Sequence, residues 1–337
     1  MPLVSVIMPV YNAEIFVRET IDSILNQTFH DFEFIIIDDA SSDSSPDIIK
    51  SYNDPRIRFY KNEKNIGYVA NLNRMIDLAQ GKFIARQDND DISHPDRLKK
   101  QVAFLQKYEN VGVCGSYVQL IGTKKGLFKR PIRDKDIRAR LLFFCPMVHP
   151  SVMMRASLFK QGIKYDEELS PAEDYNLWFE ISKMTKIANI PRVLLYYRLH
   201  DNSVSNLKQD IQTNISDAIR HKIIEYSLSI RLTEEEKRVH DLVVRPHTIS
   251  YNDLILLQEW LMHLQALSIK SNYYNTKAVK NAIFEAWSGV CRNNSIINPF
   301  QMLCFYYNST FFNMHKIFII QSLKTTIKIL FKMVKNI

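Results

Sequence analysis

The first 120 residues alternate between short β-prone runs and amphipathic stretches at helical spacing, and this alternation limits the folds open to the chain. The run Phe32–Ile37 is apolar at nearly every position, which is typical of a strand buried on both faces. Such strands, separated by helices and short links, predict an α/β fold with a mainly parallel, Rossmann-like sheet and flanking helices. Gly81 is predicted to close the third helix. The predicted strands are 4–8, 32–37, 57–60, 82–85 and 111–120, and the predicted helices are 14–27, 44–52, 69–79 and 95–108.

Polar and acidic side chains follow three of these strands at the point where each strand ends. Tyr11 follows the first strand, Asp38 and Asp39 end the second, and Asp88–Asp91 follow the fourth. In open α/β sheets, ligands bind outside the carboxyl ends of the strands. The sequence therefore predicts one ligand site, with an aromatic ring and two acidic groups, along one edge of the sheet.

The densest acidic group is formed by Asp88, Asp90 and Asp91. Carboxylates this close repel one another unless a cation or a donor group lies among them. Hard divalent cations such as Mg²⁺ prefer oxygen ligands and commonly bind carboxylates together with substrate phosphates. The alternative is an acidic turn before a helix, with Ser93 as the cap and Pro95 in the first turn. That alternative leaves the first two acids unexplained.

Charge and composition narrow the class of protein. The net charge of +8 indicates an anionic partner, such as a nucleotide, a nucleic acid or a membrane surface. The chain has only 8 glycines and no glycine-rich phosphate loop. Its four cysteines lack metal-ligand spacing and are typical of a reducing compartment. The N-terminal sequence predicts no signal peptide, and no stretch is apolar for long enough to predict a spanning helix.

Further along the chain, acids and histidines again stand beside predicted elements. His149 opens a predicted strand that runs to Arg155, and it is either an acceptor contact or a structural turn residue. Glu173 and Asp174 start a predicted helix, whose dipole is expected to lower the pKa of Asp174. Simple helix capping explains the same two acids. A predicted strand over 193–199 ends at His200.

Taken in chain order, these motifs resemble those of the family 2 glycosyltransferases, which have the GT-A fold. The most similar members are bacterial enzymes that build capsule or O-antigen chains. The resemblance covers roughly the first 205 residues and leaves the helical remainder uncovered. It is carried by Val4–Asn12, Ile37–Asp43, Asn65–Gly67, Asp88–Asp91, Glu173–Asp174 and Tyr197–His200.

At the donor end, the resemblance implies a role for each matching residue. Tyr11 would stack on the base of a nucleotide-sugar donor, for which the resemblance implies a UDP-sugar, and Pro9 would line the same pocket. Asp39 would accept a hydrogen bond from the base, and Asp88 would lie near the ribose and the metal.

The resemblance also implies an inverting, metal-dependent reaction. Asp90 would bind a divalent cation, Mn²⁺ or Mg²⁺, that bridges the donor diphosphate, with His200 as a further ligand. Asp174 would be the general base, and His149 would contact the acceptor, a glycan that is lipid-linked in related enzymes. The chemistry agrees, because a cation neutralises the leaving phosphates while a separate carboxylate takes the proton of the acceptor hydroxyl.

The predicted organisation has a GT-A domain over residues 1–206, divided into a nucleotide-sugar-binding half at 1–120 and an acceptor-binding half at 121–206. A helical region at 207–337 follows and ends in an apolar stripe, Ile320–Val334, flanked by lysines. Such a stripe is suited to an anionic membrane surface, although it would equally suit packing on protein. With the resemblance, it predicts a cytoplasmic enzyme held on the inner face of the membrane.

Three other classes of protein agree less well with the sequence. A sugar nucleotidyltransferase would need a glycine-rich, basic loop after the first strand, and Pro9–Ala13 does not provide one. A nucleic-acid-binding module would suit the charge, but no binding motif is present, so no nucleic acid partner is predicted. A non-catalytic glycan- or nucleotide-sugar-binding protein would leave the acid at Asp174 without a role.

Overall fold

The computed structural model describes residues 1–200, 209–246, 249–294 and 297. The chain divides into two compact units. The sheet unit comprises residues 1–137 and 145–216, and the helical unit comprises residues 138–144 and the described chain from Asp217 onward.

A nine-stranded sheet forms the centre of the sheet unit, in the order β3-β2-β1-β4-β8-β6-β9-β5, with β7 paired to β6. Strands β3, β2, β1 and β4 run parallel, as the alternating pattern predicted, and β6 and β9 are also parallel. Strand β8 runs antiparallel to both of its neighbours, so the sheet is mixed. The strands are β1 Val4–Val10, β2 Phe32–Asp38, β3 Ile57–Lys61, β4 Phe83–Arg86, β5 Ile92–Ser93, β6 Val111–Gly122, β7 Gly126–Phe128, β8 Met153–Arg155 and β9 Lys186–Leu199.

Helices flank the sheet and make up the rest of the described C-terminal chain. The three unit boundaries fall within α5, after Phe144 and within α8. Single 3₁₀ turns lie at His149–Ser151, Glu167–Leu169 and Leu242–Val244. The helices are α1 Val17–Leu25, α2 Ser45–Lys50, α3 Tyr68–Leu78, α4 Arg97–Lys107, α5 Asp134–Leu141, α6 Ala156–Lys160, α7 Glu173–Met184, α8 Gln209–Leu228, α9 Glu234–Asp241, α10 Tyr251–Lys270 and α11 Thr276–Asn293.

Burial of apolar side chains explains why the helices pack against the sheet. Every residue of β2 is buried, including Glu33, whose carboxylate accepts a hydrogen bond of 2.6 Å from the Ser5 hydroxyl. The predicted apolar face of α1 buries Val17, Ile21 and Ile24 in the core beneath the sheet. Removing such side chains from water supplies most of the driving force that holds helix to sheet.

One local prediction, at Gly81, and one alternative, at Ser93, were wrong. Helix α3 ends at Leu78, and Gly81 is required by a close approach instead, because a Cβ there would lie 2.5 Å from the backbone nitrogen of Ser5. Ser93 does not cap α4; it lies in β5, and its hydroxyl donates to Gln87 Oε1 at 2.8 Å. In both cases contacts with distant strands decided the outcome, which local turn and cap rules do not see.

The helices from α8 to α11 agree with the predicted helical extension. The predicted domain boundary at 206 and the apolar stripe Ile320–Val334 lie outside the described residues. Within the part of the chain that is described, no helix has both the length and the apolar character needed to cross a lipid bilayer.

Candidate active site

The loops that follow β1, β2 and β4 meet at one edge of the sheet. The register pairs Val10 with Asp38, and the Asp39 amide donates to the Val10 carbonyl at 2.8 Å. On the other side of β1, Ile7 pairs with Arg86, the last residue of β4. The carboxyl ends of three neighbouring parallel strands therefore present Tyr11, the Asp39 loop and the acidic loop side by side.

The proposed donor-base residues lie where β1 and β2 end. The Tyr11 ring is 51% exposed, as a platform for a stacked base must be, whereas Asp39 is buried. The Asp39 carboxylate accepts bonds of 2.9 Å from the amides of Ile66 and Gly67, and one of 2.8 Å from Asn62 Nδ2. Three bonds leave this carboxylate with capacity for one more donor. Asp39 can therefore still accept the predicted hydrogen bond from a base, and this role of Asp39 stays a prediction.

Three carboxylates crowd the loop after β4. Asp88, Asp90 and Asp91 each offer an oxygen, and these oxygens lie within 4.8 Å of one another. Burial, followed by the charge of neighbouring acids, raises the pKa of both Asp90 and Asp91. Asp91 is fully buried, and its Oδ2 has no hydrogen-bond partner. Crowded, desolvated oxygens of this kind fit a hard divalent cation.

The end of β9 closes over this loop and brings His200 to it. Asp91 Oδ1 accepts a 2.8 Å bond from the Arg198 amide, and Arg198 Nε donates to the Asp90 carbonyl at 2.8 Å. His200 Nε2 then lies 2.8 Å from Asp90 Oδ2, with its ring 5.4 Å from that of Phe16. Pro9 is buried in β1, and its carbonyl accepts a 3.3 Å bond from the Asn89 side chain of the same loop.

A buried arginine supports the acidic loop from below, and sequence reasoning missed it. The Arg97 guanidinium, at the start of α4, donates to Gln87 Oε1 at 2.8 Å and to Ser93 Oγ at 2.9 Å. Gln87 Nε2 in turn donates to the carbonyls of Asp88 and Asp91 at 3.0 and 2.9 Å. Arg97 therefore places a positive charge beneath three acids while shaping their backbone. In the sequence, Arg97 is one more polar residue in an amphipathic helix.

A second acidic site lies at the start of α7. Asp174 is half-buried in the first turn, and the Cys145 thiol lies 3.4 Å from its Oδ2. Burial raises the pKa of Asp174 above its usual range, which is opposite to the direction predicted from the helix dipole. Burial outweighs the dipole because it removes the water that stabilises the charged form of the carboxylate. The adjacent Glu173 is 2% exposed, its Oε2 has no hydrogen-bond partner, and burial and the Asp174 charge raise its pKa.

His149 lies in a 3₁₀ turn before β8, not in the strand that was predicted from His149 to Arg155. Its Nε2 is 2.7 Å from Tyr165 Oη, and its Nδ1 is 3.7 Å from Glu173 Oε1. Burial lowers the pKa of His149 well below its usual range, so the ring is neutral. His149 is thus tied into the Glu173 environment, and its contact with an acceptor stays a prediction.

Arg86 links the two acidic sites, and it too was missed. Its side chain is almost fully buried, and its Nη1 forms a 2.5 Å ion pair with Asp88 Oδ1. Its charge also opposes the rise in the pKa of Asp174 that burial causes. One guanidinium therefore acts electrostatically on the candidate cation site and on the candidate base. A charged residue at the end of an otherwise apolar strand, beside acids, was the signal that could have found it.

The sequence model of the Glycosyl transferase family 2 matches residues 5–162. An uncharacterized glycosyltransferase of Haemophilus influenzae is 34% identical over 242 residues, which cover 68% of this chain and 75% of the relative. The chain belongs to glycosyltransferase family 2. It is therefore a transferase, as the motifs predicted.

Two further proteins are similar to this chain, one in sequence and one in fold. The putative glycosyltransferase EpsE of Bacillus subtilis is 34% identical over 227 residues, which cover 65% of this chain and 80% of that protein. The crystal structure of TarS 1-349 from S. aureus, in complex with UDP-GlcNAc, superimposes with a TM-score of 0.57 at 20% identity, covering 83% of this chain and 91% of that one. The predicted GT-A fold with C-terminal helices is confirmed.

Proposed function

We propose that this glycosyltransferase moves a sugar from a nucleotide-sugar donor, with UDP as the expected nucleotide, to a hydroxyl of a glycan acceptor with inversion at the transferred carbon. The observation that carries the proposal is the pair of acidic sites, Asp88–Asp91 and Asp174, that share the buried guanidinium of Arg86. The reaction needs one acidic site for the phosphates and a separate one for the acceptor.

At the donor end, Tyr11 would stack on the base and Asp39 would accept from its N–H. The fit to a divalent cation rests on the unpartnered Asp91 Oδ2 and on the crowding of the three acids. Asp88 and Asp90 would hold the cation, with His200 as a further ligand. When bound, Mn²⁺ or Mg²⁺ would neutralise the charge that develops on the leaving diphosphate. Arg97 and Gln87 keep the carbonyls of the loop in place while this happens.

At the acceptor end, Asp174 would act as the general base. The acceptor oxygen forms its bond to the sugar carbon while the bond from that carbon to the diphosphate oxygen breaks on the opposite face. The hydroxyl proton passes to the Asp174 carboxylate. A pKa raised by burial makes this carboxylate a stronger base than an exposed aspartate, which favours proton transfer near neutral pH.

The donor and acceptor classes rest on different support. TarS was solved with UDP-GlcNAc, and the shared fold makes a uridine nucleotide the first donor to test. The motif resemblance to capsule and O-antigen enzymes supports a glycan acceptor, lipid-linked, in surface polysaccharide synthesis. The same resemblance supports a donor half at residues 1–120 and an acceptor half at 121–206.

Peripheral attachment to the inner face of the membrane is part of the proposal. It is supported by Ile320–Val334, an apolar stripe flanked by four lysines with no acid after Glu285. The intact chain should sediment with anionic vesicles and should be released by high salt, since part of the attraction is screened charge. A chain ending at Asn313 should stay folded and lose vesicle binding. Aggregation of the shortened chain would instead assign the stripe to protein packing.

The central experiment is a panel of nucleotide sugars incubated with the purified chain, glycan acceptors and Mn²⁺ or Mg²⁺. Release of nucleoside diphosphate and a mass gain of one sugar on the acceptor are expected, and proton NMR should show an inverted anomeric centre. Excess EDTA should stop both. Transfer at full rate in EDTA, or retention at the anomeric carbon, would contradict the proposed mechanism.

A further inference from the structure

Cys145 lies beside Asp174, although the sequence indicated no role for this cysteine. It is a free cysteine, half-buried, in the segment that follows α5. Its Sγ is 3.4 Å from Asp174 Oδ2 and 3.5 Å from the carbonyl oxygen of Met147. Both distances are within the range of hydrogen bonds donated by a thiol.

The thiol has one proton and two acceptors, so it donates to one at a time. An ionised carboxylate is a stronger acceptor than a neutral carbonyl, so the proton points to Asp174 while that residue is charged. Burial, together with the Asp174 charge, raises the pKa of Cys145 well above its usual range, so it remains a protonated thiol. Cys145 is therefore a permanent donor beside the candidate base.

The hydrogen bond from Cys145 affects the pKa of the half-buried Asp174. Burial raises the pKa of the carboxylate, and the contact that opposes burial most strongly is the Cys145 hydrogen bond, ahead of the Tyr175 amide and the charge of Arg86. Glu173 is the preceding residue on the same helix, and its pKa is raised in part by the Asp174 charge. The other titratable or charged groups near the pair are Tyr68 on α3, Tyr165 before α7 and Arg130 beside Cys145.

We propose that Cys145 is a positioning residue for the base: its S–H group holds Asp174 Oδ2 while the carboxylate is ionised, and turns to the Met147 carbonyl once Asp174 has taken the acceptor's proton. This inference rests on the proposed role of Asp174. No bond of the cysteine is made or broken, and the only proton that changes residue is the one from the acceptor hydroxyl. The thiol thus keeps Asp174 ready to accept a proton and releases it when the proton has arrived.

The test is the pH dependence of kcat/KM for the wild type, Cys145→Ala and Cys145→Ser. Loss of the donor should move the acidic limb to higher pH by roughly half a unit to one unit, since a hydrogen bond to the charged form lowers a pKa. The serine variant retains a donor, and its limb should stay at the wild-type position or move to lower pH. Cys291→Ala, which removes a buried thiol of the helical unit, is the matched control.

A second readout does not depend on activity. The infrared S–H stretching band obtained by subtracting the Cys145→Ala spectrum should show a hydrogen-bonded thiol, and Asp174→Asn should shift that band. An unshifted band, or an acidic limb that stays in place in the alanine variant, would overturn the inference even if Asp174 is the base. If Asp174→Asn keeps the acidic limb and full turnover, the assignment of the base fails, and the role of Cys145 fails with it.

Discussion

The two acidic sites of the sheet unit and the helical unit differ in how their buried carboxylates are paired. Asp91 in the loop after β4 and Glu173 at the start of α7 each keep one buried carboxylate oxygen without a hydrogen-bond partner. In the helical unit, Asp217 is bonded by the guanidinium groups of both Arg220 and Arg245. An unsatisfied buried oxygen costs about 1–3 kcal/mol. The unpartnered oxygens of Asp91 and Glu173 are therefore expected to bind ligands, whereas the ion pairs of Asp217 are expected to contribute to stability.

His240, also in the helical unit, has a hydrogen-bond partner for each of its ring nitrogens. Its Nε2 lies 2.8 Å from the Leu142 carbonyl, and its Nδ1 accepts a 3.0 Å bond from Trp260 Nε1. Burial lowers the pKa of His240 to about 3, so this ring is neutral. His200 at the sheet edge is instead half-buried beside Asp90. Substitutions at the sheet edge should thus change activity more than stability, and those in the helical unit should do the reverse.

The largest effect is expected from Asp90→Ala, which removes a proposed cation ligand. A bound cation supplies several kcal/mol of charge stabilisation, so turnover should fall by at least ~10³. The melting temperature without metal should stay equal or rise, because one of three crowded acids is gone. Glu109→Ala, which removes an exposed acid, is the matched control and should retain activity. A fully active Asp90→Ala enzyme would remove the cation site from the mechanism.

The next effect is expected from Asp174→Asn, which keeps the shape of the side chain and removes its basicity. Turnover should fall by about 10² to 10⁴, while donor affinity in calorimetry stays nearly unchanged. Survival of turnover at saturation together with a collapse of donor affinity would make Asp174 a donor ligand instead.

A stability effect is expected at His240. The unfolded chain binds a proton at this residue near its ordinary pKa of 6.5, whereas the folded chain does so only near pH 3. Its contribution to stability is complete above 6.5 and is lost as the pH falls below that value. The melting temperature of His240→Gln should fall less steeply between pH 6.5 and 4.5, by a few degrees. Exposed His263→Gln is the control, and equal slopes in all three proteins would contradict the assignment.

The smallest effect is expected from His200→Ala. Loss of an auxiliary ligand should raise the Mn²⁺ concentration needed for half-maximal activity by about tenfold, with the rate at saturating metal retained. A titration of activity against Mn²⁺ measures this directly. An unchanged metal requirement would limit His200 to its contact with Asp90 in the metal-free protein.

Parts of the fold were predictable because they follow from local pattern. The apolar run of β2 predicted a doubly covered parallel strand, and the helical spacing of α1 predicted the face that it buries. Strand β9 begins at Lys186, earlier than the predicted start at Val193, because its first residues pair with β6. Such pairing is a property of two distant segments, so neither sequence alone indicates it.

The acidic loop follows from the sequence alone, because Asp88, Asp90 and Asp91 are nearly adjacent in the chain and any turn after β4 keeps them together. The groups that act on these acids come from distant parts of the chain and are set by its packing. His200 reaches Asp90 across 110 positions, and Cys145 reaches Asp174 across 29. The direction of the Asp174 pKa shift was decided in the same way. Desolvation depends on every segment packed around a carboxylate, whereas the helix dipole depends only on its own helix.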